Sequence, residues 1–598
     1  MLALLHACAG PQPEAPSPQL NEVTGVASAP STATWRPEVN RFGTPDHDNS
    51  VSSPGSGGTS VGYPTLCDEH QFEGRGESGW TEFVVHPERG SVARVDQQGV
   101  LAELELGSFP TALLKQGDHL LVALRSAGEI VRLQVAELSP VDQVYVGAEP
   151  TALEGGDDRI WVALQQEHSV VELDGETLEE LRRFEVDAQV RWLAYDPDRS
   201  TLFAVPSVGN RLTAIDLETT AVSELELPEL EVWTPTADAT VPGVLRFTGD
   251  PDVSETLLVI PGLVVENTTT EIEAPVAYYT TTVPSLPGRF TPVLYIWELD
   301  DLDSPPRVVA LIGEGVGARS YPSSVLLDGE HAWVPMPGAE RIQRVALNDT
   351  VTGSDYLDFE VAATEQTQAD GGPREVRKLG DGTILWFTRS GQVAWRSDAA
   401  WDVEILHAPD NYPEPASCVE LEYLDVGREL FQTTVYTPLV QANSGVTCDT
   451  CHFEGRTDGL TWPLSSGNRQ TPSLAGVTSG TPPYTWTSQV SSVSAEAYMT
   501  SAARMGGSGL DYARPKLIAN WIDTIPAVRL PDRDPEAVSR GEAVFEDLGC
   551  ADCHVPPLYT DQTTWEMFEV EVDTPVCSAS PRPRPTCTTG APRPSRTS

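Results

Sequence analysis

The chain has 598 residues, with 88 acidic against 38 basic side chains and a formal net charge of −50. A chain of this length exceeds what one hydrophobic core supports, so two or more domains are expected. So acidic a surface repels nucleic acid and anionic lipid and favours solubility in a saline or cation-rich medium, and no apolar run reaches the roughly 18 residues that span a bilayer.

Residues 1–8 read as a partial lipoprotein-type signal. Leu5-His-Ala-Cys8 resembles a bacterial lipoprotein processing site, in which Cys8 would become the lipid-bearing first residue. His6 and the short stretch before the cysteine depart from that pattern, and a start codon assigned too far downstream would account for both. Residues 9–66 are rich in Pro, Ser, Gly and Thr, as in Val51-Ser-Ser-Pro-Gly-Ser-Gly-Gly-Thr-Ser60, and read as a disordered linker that tethers the domains after it.

Residues 67–418 carry a repeat. Pro110-Thr-Ala-Leu113 returns as Pro150-Thr-Ala-Leu153, Leu121-Val-Ala-Leu124 as Trp161-Val-Ala-Leu164, and Glu129-Ile-Val-Arg-Leu133 as Ser169-Val-Val-Glu-Leu173, all at one offset of 40 residues. Looser copies stand before them (Phe83-Val-Val85, Ser91-Val-Ala-Arg-Val95) and after them (Leu202-Phe-Ala-Val205, Arg211-Leu-Thr-Ala-Ile215, Ala332-Trp-Val334, Ile384-Leu-Trp-Phe387). Short alternating strands at a period near 40 predict a β-propeller with one four-stranded blade per repeat, whereas a β-sandwich would not repeat its sequence so regularly. With one irregular unit around Leu257-Leu-Val-Ile260 and Val293-Leu-Tyr-Ile-Trp297, which carries an insertion near residues 262–290, the copies make about seven blades. The repeats resemble the cell-surface, YVTN-type propellers. Cys67 and Cys418 lie just outside the first and last blades. A propeller brings its ends together, so a Cys67–Cys418 disulfide is expected in an oxidising compartment.

After the propeller, Cys-x-x-Cys-His occurs twice, as Cys448-Asp-Thr-Cys451-His452 and Cys550-Ala-Asp-Cys553-His554. This pentapeptide is the attachment signature of a c-type haem. Two intervening residues put both sulfurs on one side of a short helical turn, where they can form thioethers, and the next imidazole becomes the iron's proximal ligand. The competing reading is a zinc site, but zinc ribbons space their CxxC pairs by about 15–20 residues, and these lie far further apart. Two covalently attached haems are therefore expected, on Cys448, Cys451, Cys550 and Cys553, with His452 and His554 as iron ligands. Haem attachment of this kind takes place outside the bacterial cytoplasm, so the expected location is the periplasm or cell surface.

Each motif is preceded by a small residue and, four places on, an aromatic: Gly427 and Phe431, then Gly541 and Phe545. That pattern predicts a packed helix entering a haem crevice. The segment Lys516–Asp523 places Leu517, Ile518, Trp521 and Ile522 on one helical face and is expected to close over the first of these helices. Residues 419–530 thus read as a first cytochrome c unit and 531–575 as a second, truncated one, both all-α. The iron's far side could take a methionine, which favours electron transfer, or stay open, which permits peroxide chemistry. Met499 and Met505 are the candidate distal ligands of the first haem; Met567 follows the second, and His407 is a further candidate.

These motifs, with Arg469-Gln-Thr-Pro-Ser-Leu-Ala-Gly-Val477 in place of that family's T-P-S-L-x-G stretch, resemble the MauG/di-haem cytochrome c peroxidase family over about residues 420–575. The resemblance implies two haems and either electron transfer or peroxide reduction. In the family, A-P-Y-x-H-D-G comes next. Here Pro483-Tyr-Thr-Trp486 puts tryptophan where that histidine would be, which weighs against peroxidase chemistry at the first haem. The sequence offers no positioned acid–base residue for O–O cleavage. The expected function is therefore an exported di-haem cytochrome that transfers electrons to a redox partner of unknown identity, with the propeller as a docking domain. The alternative is a peroxidase or MauG-like oxidase reducing hydrogen peroxide.

Residues 576–598 change character, with four arginines, five prolines and no acidic residue. A disordered basic tail is one reading. The other is a frameshift: back-translation with GC-rich codons, shifted by one base near the Pro575 codon, restores T-P-x-L-x-G and then A-P-Y-L-H-D-G. On that reading Cys577 and Cys587 have no role.

Overall fold

The computed structural model describes residues 81–406 and 424–574, with short interruptions. Cys8, the 9–66 linker, Cys67, His407, Cys418, Trp486 and residues 575–598 lie outside the described residues. Propeller-like antiparallel sheets dominate the structure. The first blade has the strands Thr81–His86, Ser91–Asp96 and Gly99–Glu105. The next three are four-stranded meanders, opening with Pro110–Gln116, Pro150–Gly156 and Val190–Asp196. The motifs that recur at 40 residues are the first three strands of the second and third blades, in matching register.

The middle strands are apolar on both faces because each sheet is covered on both sides by its neighbours. Leu121, Val122, Ala123, Val162, Ala163, Phe203 and Val205 are all fully buried. Each such leucine, valine or phenylalanine stabilises the fold by about 1.5–3 kcal/mol. The hairpins on the outer edge have a local cause. Asp174 accepts the backbone N–H groups of Glu176 and Thr177 at 3.0 and 2.8 Å, and Asp216 those of Glu218 and Thr219 at 2.9 and 2.8 Å. The same Asp-x-Glu-Thr turn therefore follows the third strand in two consecutive blades.

The irregular unit is the fifth blade: Asp252–Val253, Leu257–Glu266, Phe290–Glu298 and Arg307–Ala310. A hairpin, Leu230–Thr234 with Ala239–Phe247, extends it along Leu257–Glu266. Part of the insertion forms a second hairpin, Thr269–Ile272 with Val283–Pro287. The sixth blade, Leu326–Asp328 to Leu357–Gln368, joins the same sheet through a parallel pairing with Arg307–Ala310. The seventh runs from Pro373–Lys378 to Ala400–Leu406. Successive inner strands lie side by side from the first blade to the sixth, and Pro373–Lys378 lies beside His331–Met336. Arg377 Nη1, on the last blade, meets Glu82 Oε2 of the first at 2.7 Å, so the series returns to its start.

Beyond the blades the described residues form five helices: α1 (residues 426–432), α2 (Cys448–Cys451), α3 (Val493–Ala503), α4 (Arg514–Ile522) and α5 (Pro535–Asp547). An all-α region was expected. Instead the helices are short and interleaved with two hairpins, Thr461–Leu464 with Gly467–Gln470 and Thr564–Met567 with Val570–Asp573. Their strands read Thr-Trp-Pro-Leu and Thr-Trp-Glu-Met, and a β-branched residue followed by an aromatic suits a pleated surface. The closing helix is α4, and it crosses α1 at Gly427. A Cβ there would stand 2.2 Å from the Leu517 carbonyl oxygen, so only glycine permits this approach. Phe431 packs on Trp521 with ring centroids 4.7 Å apart. Among the described residues no helix is long and apolar enough to cross a membrane.

Candidate functional site

The first motif is built from the backbone outward. Thr447 caps α2: its hydroxyl oxygen accepts the Thr450 N–H at 3.1 Å, while the Thr450 hydroxyl oxygen accepts the Thr447 N–H at 3.0 Å. This reciprocal cap fixes one short turn and sets Cys448 and Cys451 on it. Both are half-buried against an apolar cluster that includes Met505, Val493, Leu474, Tyr484 and Ala497. Burial, followed by the neighbouring Asp449 carboxylate, pushes the Cys448 thiol up to about 12. Burial and then Asp458 push the Cys451 thiol upward as well. Reactive or redox-active thiols are held in the opposite state, as thiolates.

His452 follows at the end of the turn, and its Nδ1 donates to the Pro472 carbonyl oxygen at 2.9 Å. With the proton on Nδ1, the neutral ring keeps its lone pair on Nε2, the tautomer that a metal-binding imidazole needs. Burial lowers the ring's proton affinity, against the pull of the Pro472 and Arg456 backbone groups. Pro472 lies in the Thr-Pro-Ser-Leu-Ala-Gly stretch, and through this bond that segment orients the histidine.

In the second motif, Cys550–Asp552 forms a single 3-10 turn entered from Gly549 in the left-handed region (φ 73°), with no side-chain cap. His554 Nδ1 again donates to a backbone carbonyl, that of Tyr559, at 2.9 Å. Gly541 and Phe545 are the buried residues of α5, and the Phe545 ring lies 6.3 Å from His554. Val544, Leu548 and Val555 beside this motif are 40%, 60% and 43% exposed.

The two motifs share a continuation that the haem signature does not include. Thr457-Asp458-Gly-Leu-Thr-Trp462 and Thr560-Asp561-Gln-Thr-Thr-Trp565 come after them at a common offset of 103 residues. In the first, the Trp462 indole N–H donates to Asp458 at 3.0 Å and the Thr457 hydroxyl to the Thr471 carbonyl at 2.8 Å. In the second, Trp565 donates to Asp561 at 2.9 Å and Thr560 to the Thr574 carbonyl at 2.8 Å. The sequence signal for this hairpin is the match between the two units, residue by residue, beyond their histidines.

What differs is the setting. The first motif is seated on the propeller. Asp449 and Thr450, the two residues between its cysteines, are fully buried. The Tyr321 hydroxyl donates to Asp449, and Arg246 Nη1 donates to the Thr450 carbonyl at 2.8 Å. Phe453 sits among Trp192, Tyr321 and the Arg246 guanidinium. Next to it Glu454 takes a forked contact from Arg191, at 2.6 and 3.1 Å, and another from Arg125 at 3.0 Å. Arg456 reaches both oxygens of Glu149 at 3.0 Å. Burial favours the neutral form of Glu454, but Arg191 and Arg125 override it and hold the carboxyl well below its ordinary range. Glu149 is likewise lowered, with Arg456 and Arg125 outweighing burial. A small cavity at this junction is lined by Gln165, Gln166 and Ser207 of the propeller and by Phe453, Glu454 and Val528.

Cys448, Cys451 and His452 are thus brought together as residues that could hold a haem, as are Cys550, Cys553 and His554. Among the described residues no group of three or more His, Cys, Asp or Glu side chains is arranged to hold a metal ion. Of the distal candidates, Met505 is buried in the cluster that contains both first-motif cysteines, whereas Met499 on α3 is 44% exposed. Met567 ends the first strand of the second hairpin.

No protein-family model and no curated protein matches this chain. Solved structures similar to it include hydrazine synthase of Kuenenia stuttgartiensis, at 16% identity and a TM-score of 0.40, over 53% of this chain and 92% of that one. Virginiamycin B lyase of Staphylococcus aureus is similar at 12% identity and a TM-score of 0.35, over 53% and 91%. BamB of Moraxella catarrhalis is similar at 12% identity and a TM-score of 0.33, over 53% and 92%.

Proposed function

We propose that the chain is an exported two-haem c-type cytochrome that passes single electrons, akin to the MauG/di-haem peroxidase family in its C-terminal part and to YVTN-type propellers before it. The observation that carries this reading is the first motif. Two thiols stand on one capped turn, and the following imidazole is held in the metal-binding tautomer by a backbone carbonyl. A haem attached there supplies a one-electron ferric–ferrous couple. Cys448 and Cys451 would hold it covalently, and His452, oriented by Pro472, would offer its Nε2 lone pair. The second motif repeats the imidazole arrangement with His554. On this reading the propeller also serves within the molecule, by excluding water from the turn between the first two cysteines. Location in the periplasm or at the cell surface, lipid on Cys8 and a Cys67–Cys418 disulfide belong to the same reading.

The test is the absorption spectrum and pyridine haemochromogen assay of the full chain, produced with a c-type haem attachment system and measured after denaturation. Covalent haem that falls from two per chain to one in Cys448→Ala/Cys451→Ala is the expected result, and protein that carries zinc or no haem overturns the proposal. Rapid turnover of hydrogen peroxide with a high-spin ferric signal would replace electron transfer by the peroxidase reading. Peptide mapping that finds Cys67 and Cys418 as thiols in oxidised protein removes the disulfide.

A further inference from the structure

Arg246 is the propeller cation nearest the first motif's backbone. It lies in the strand Ala239–Phe247 and is 3% exposed. Its Nη1 donates to the carbonyl of Thr450, the residue directly before Cys451, at 2.8 Å, and its guanidinium stands 5.5 Å from the Phe453 ring centre. Its Nε and Nη2 are buried without a protein partner. A side chain that is costly to bury and uses only part of its hydrogen-bonding capacity is held here by something other than local satisfaction.

The surrounding charges are divided among other partners. Glu454 is tied to Arg191 and Arg125, Glu149 to Arg456 and Arg125, and Asp449 accepts from the neutral Tyr321. Asp458 is the carboxylate that faces Arg246, at 3.9 Å, and its Oδ2 also accepts the Trp462 indole N–H at 3.0 Å.

We propose that Arg246 is a positioning residue that raises the reduction potential of the haem on Cys448 and Cys451. This rests on the haem reading above. The ferric state carries one more positive charge than the ferrous, so a fixed cation beside the attachment turn disfavours ferric and favours the electron. Burial keeps that interaction from being screened by water and salt. Asp458 opposes it, as does the buried Asp449 carboxylate beside Cys448.

The experiment is a spectroelectrochemical titration of the haem-loaded full chain in a Cys550→Ala/Cys553→Ala background, so that one haem titrates. Arg246→Gln is expected to lower the reduced-to-oxidised ratio at a fixed potential about tenfold, a shift of about 59 mV for one electron. Arg246→Lys, which keeps the charge, restores most of it, and a purely packing role would not produce that rescue. Asp458→Asn, which keeps an acceptor for Trp462, moves the midpoint upward and carries the test if Arg246→Gln fails to load haem. Haem present with midpoints unmoved in Arg246→Gln, or in Asp458→Asn where only that variant loads, overturns this inference alone. An unmodified chain that takes up no haem overturns the function on which it rests.

Discussion

The two Cys-x-x-Cys-His segments carry the same chemistry in unlike surroundings. Each ends in a histidine whose Nδ1 is bonded to a backbone carbonyl, and each is followed by the same Asp–Trp hairpin. The first is capped and pressed into the propeller, with the residues between its cysteines fully buried. In the second, Asp552 between the cysteines is exposed and apolar side chains around the turn face solvent. The local motif therefore specifies which atoms could bind, and the neighbouring domain decides how dry and how charged the site is. Electrostatics at the first site belong largely to residues more than 200 positions away in the chain, such as Arg246.

That contrast is open to attack, and the largest effect is expected at the buried charges. Glu149→Gln leaves Arg125 and Arg456 without their shared carboxylate and should destabilise the junction by about 3–5 kcal/mol, the cost of uncompensated buried charge. Urea unfolding followed by tryptophan fluorescence measures it. The matched change at the second site, Asp534→Ala at the exposed cap of α5, should cost only about 1 kcal/mol. Equal losses would mean that the junction does not hold the first site. A smaller separation is expected between the hairpins. Asp458→Ala strips a buried indole N–H of one acceptor and should cost about 1–3 kcal/mol. Asp561→Ala, nearer to solvent, should cost less, and the same pair of melting curves ranks them.

Much of the propeller was legible because repetition is what a blade requires. Pro110 and Pro150 open equivalent strands, as do Glu129 and Ser169, and Leu121 and Trp161 are the third residues of another equivalent pair, as their spacing implied. The cysteines and histidines of both motifs stood out because one five-residue spacing occurs twice. The junction was not, and the reason is physical. Arg125, Gln165 and Ser207 occupy equivalent places just after the second strands of three consecutive blades. They form a chain in which Arg125 Nη2 donates to Gln165 and Gln165 Nε2 donates to Ser207 at 2.9 Å. Repeats reveal what blades share, whereas these positions matter because they differ. The hairpins were hidden for a related reason: the five-residue spacing ends at the histidines and does not extend to Asp458 or Asp561. Helix α4 was visible through its apolar face, but its crossing with α1 depends on Gly427 lacking a Cβ.

A change confined to the first turn sharpens the comparison further. Thr447→Ala removes the side chain that accepts the Thr450 N–H and should cost about 1 kcal/mol. The second turn has no side-chain cap to lose. Reduced haem occupancy at Cys448 and Cys451 with unchanged occupancy at Cys550 and Cys553, read by mass spectrometry of haem peptides, is the expected pattern. Parallel losses at both would show that the cap is not specific to the first site.

A pH dependence with two opposed limbs is also expected. Glu149 is held below its ordinary value of 4.5, with Arg456 and Arg125 outweighing burial. Its contribution is present above that value and is lost as pH falls through the lowered one. The propeller carboxyls Glu154 and Asp250 behave in the opposite way. Burial raises Glu154 to about 7 and Asp250 to about 6. They favour the folded state while protonated, so their contribution is full below the ordinary carboxylate range and is lost as pH rises through 6 to 7. Stability should therefore peak between the two limbs and decline towards pH 8. Glu154→Gln, which cannot ionise, should reduce the upper limb to the part Asp250 supplies and leave the acid limb unchanged, whereas Glu149→Gln should shrink the acid limb, to which Glu454 also contributes, and leave the upper one. Urea midpoints at pH 4, 5.5 and 8 measure both. An acid limb that persists undiminished in Glu149→Gln/Glu454→Gln would move the origin of acid sensitivity away from the junction and weaken the distinction between the two sites.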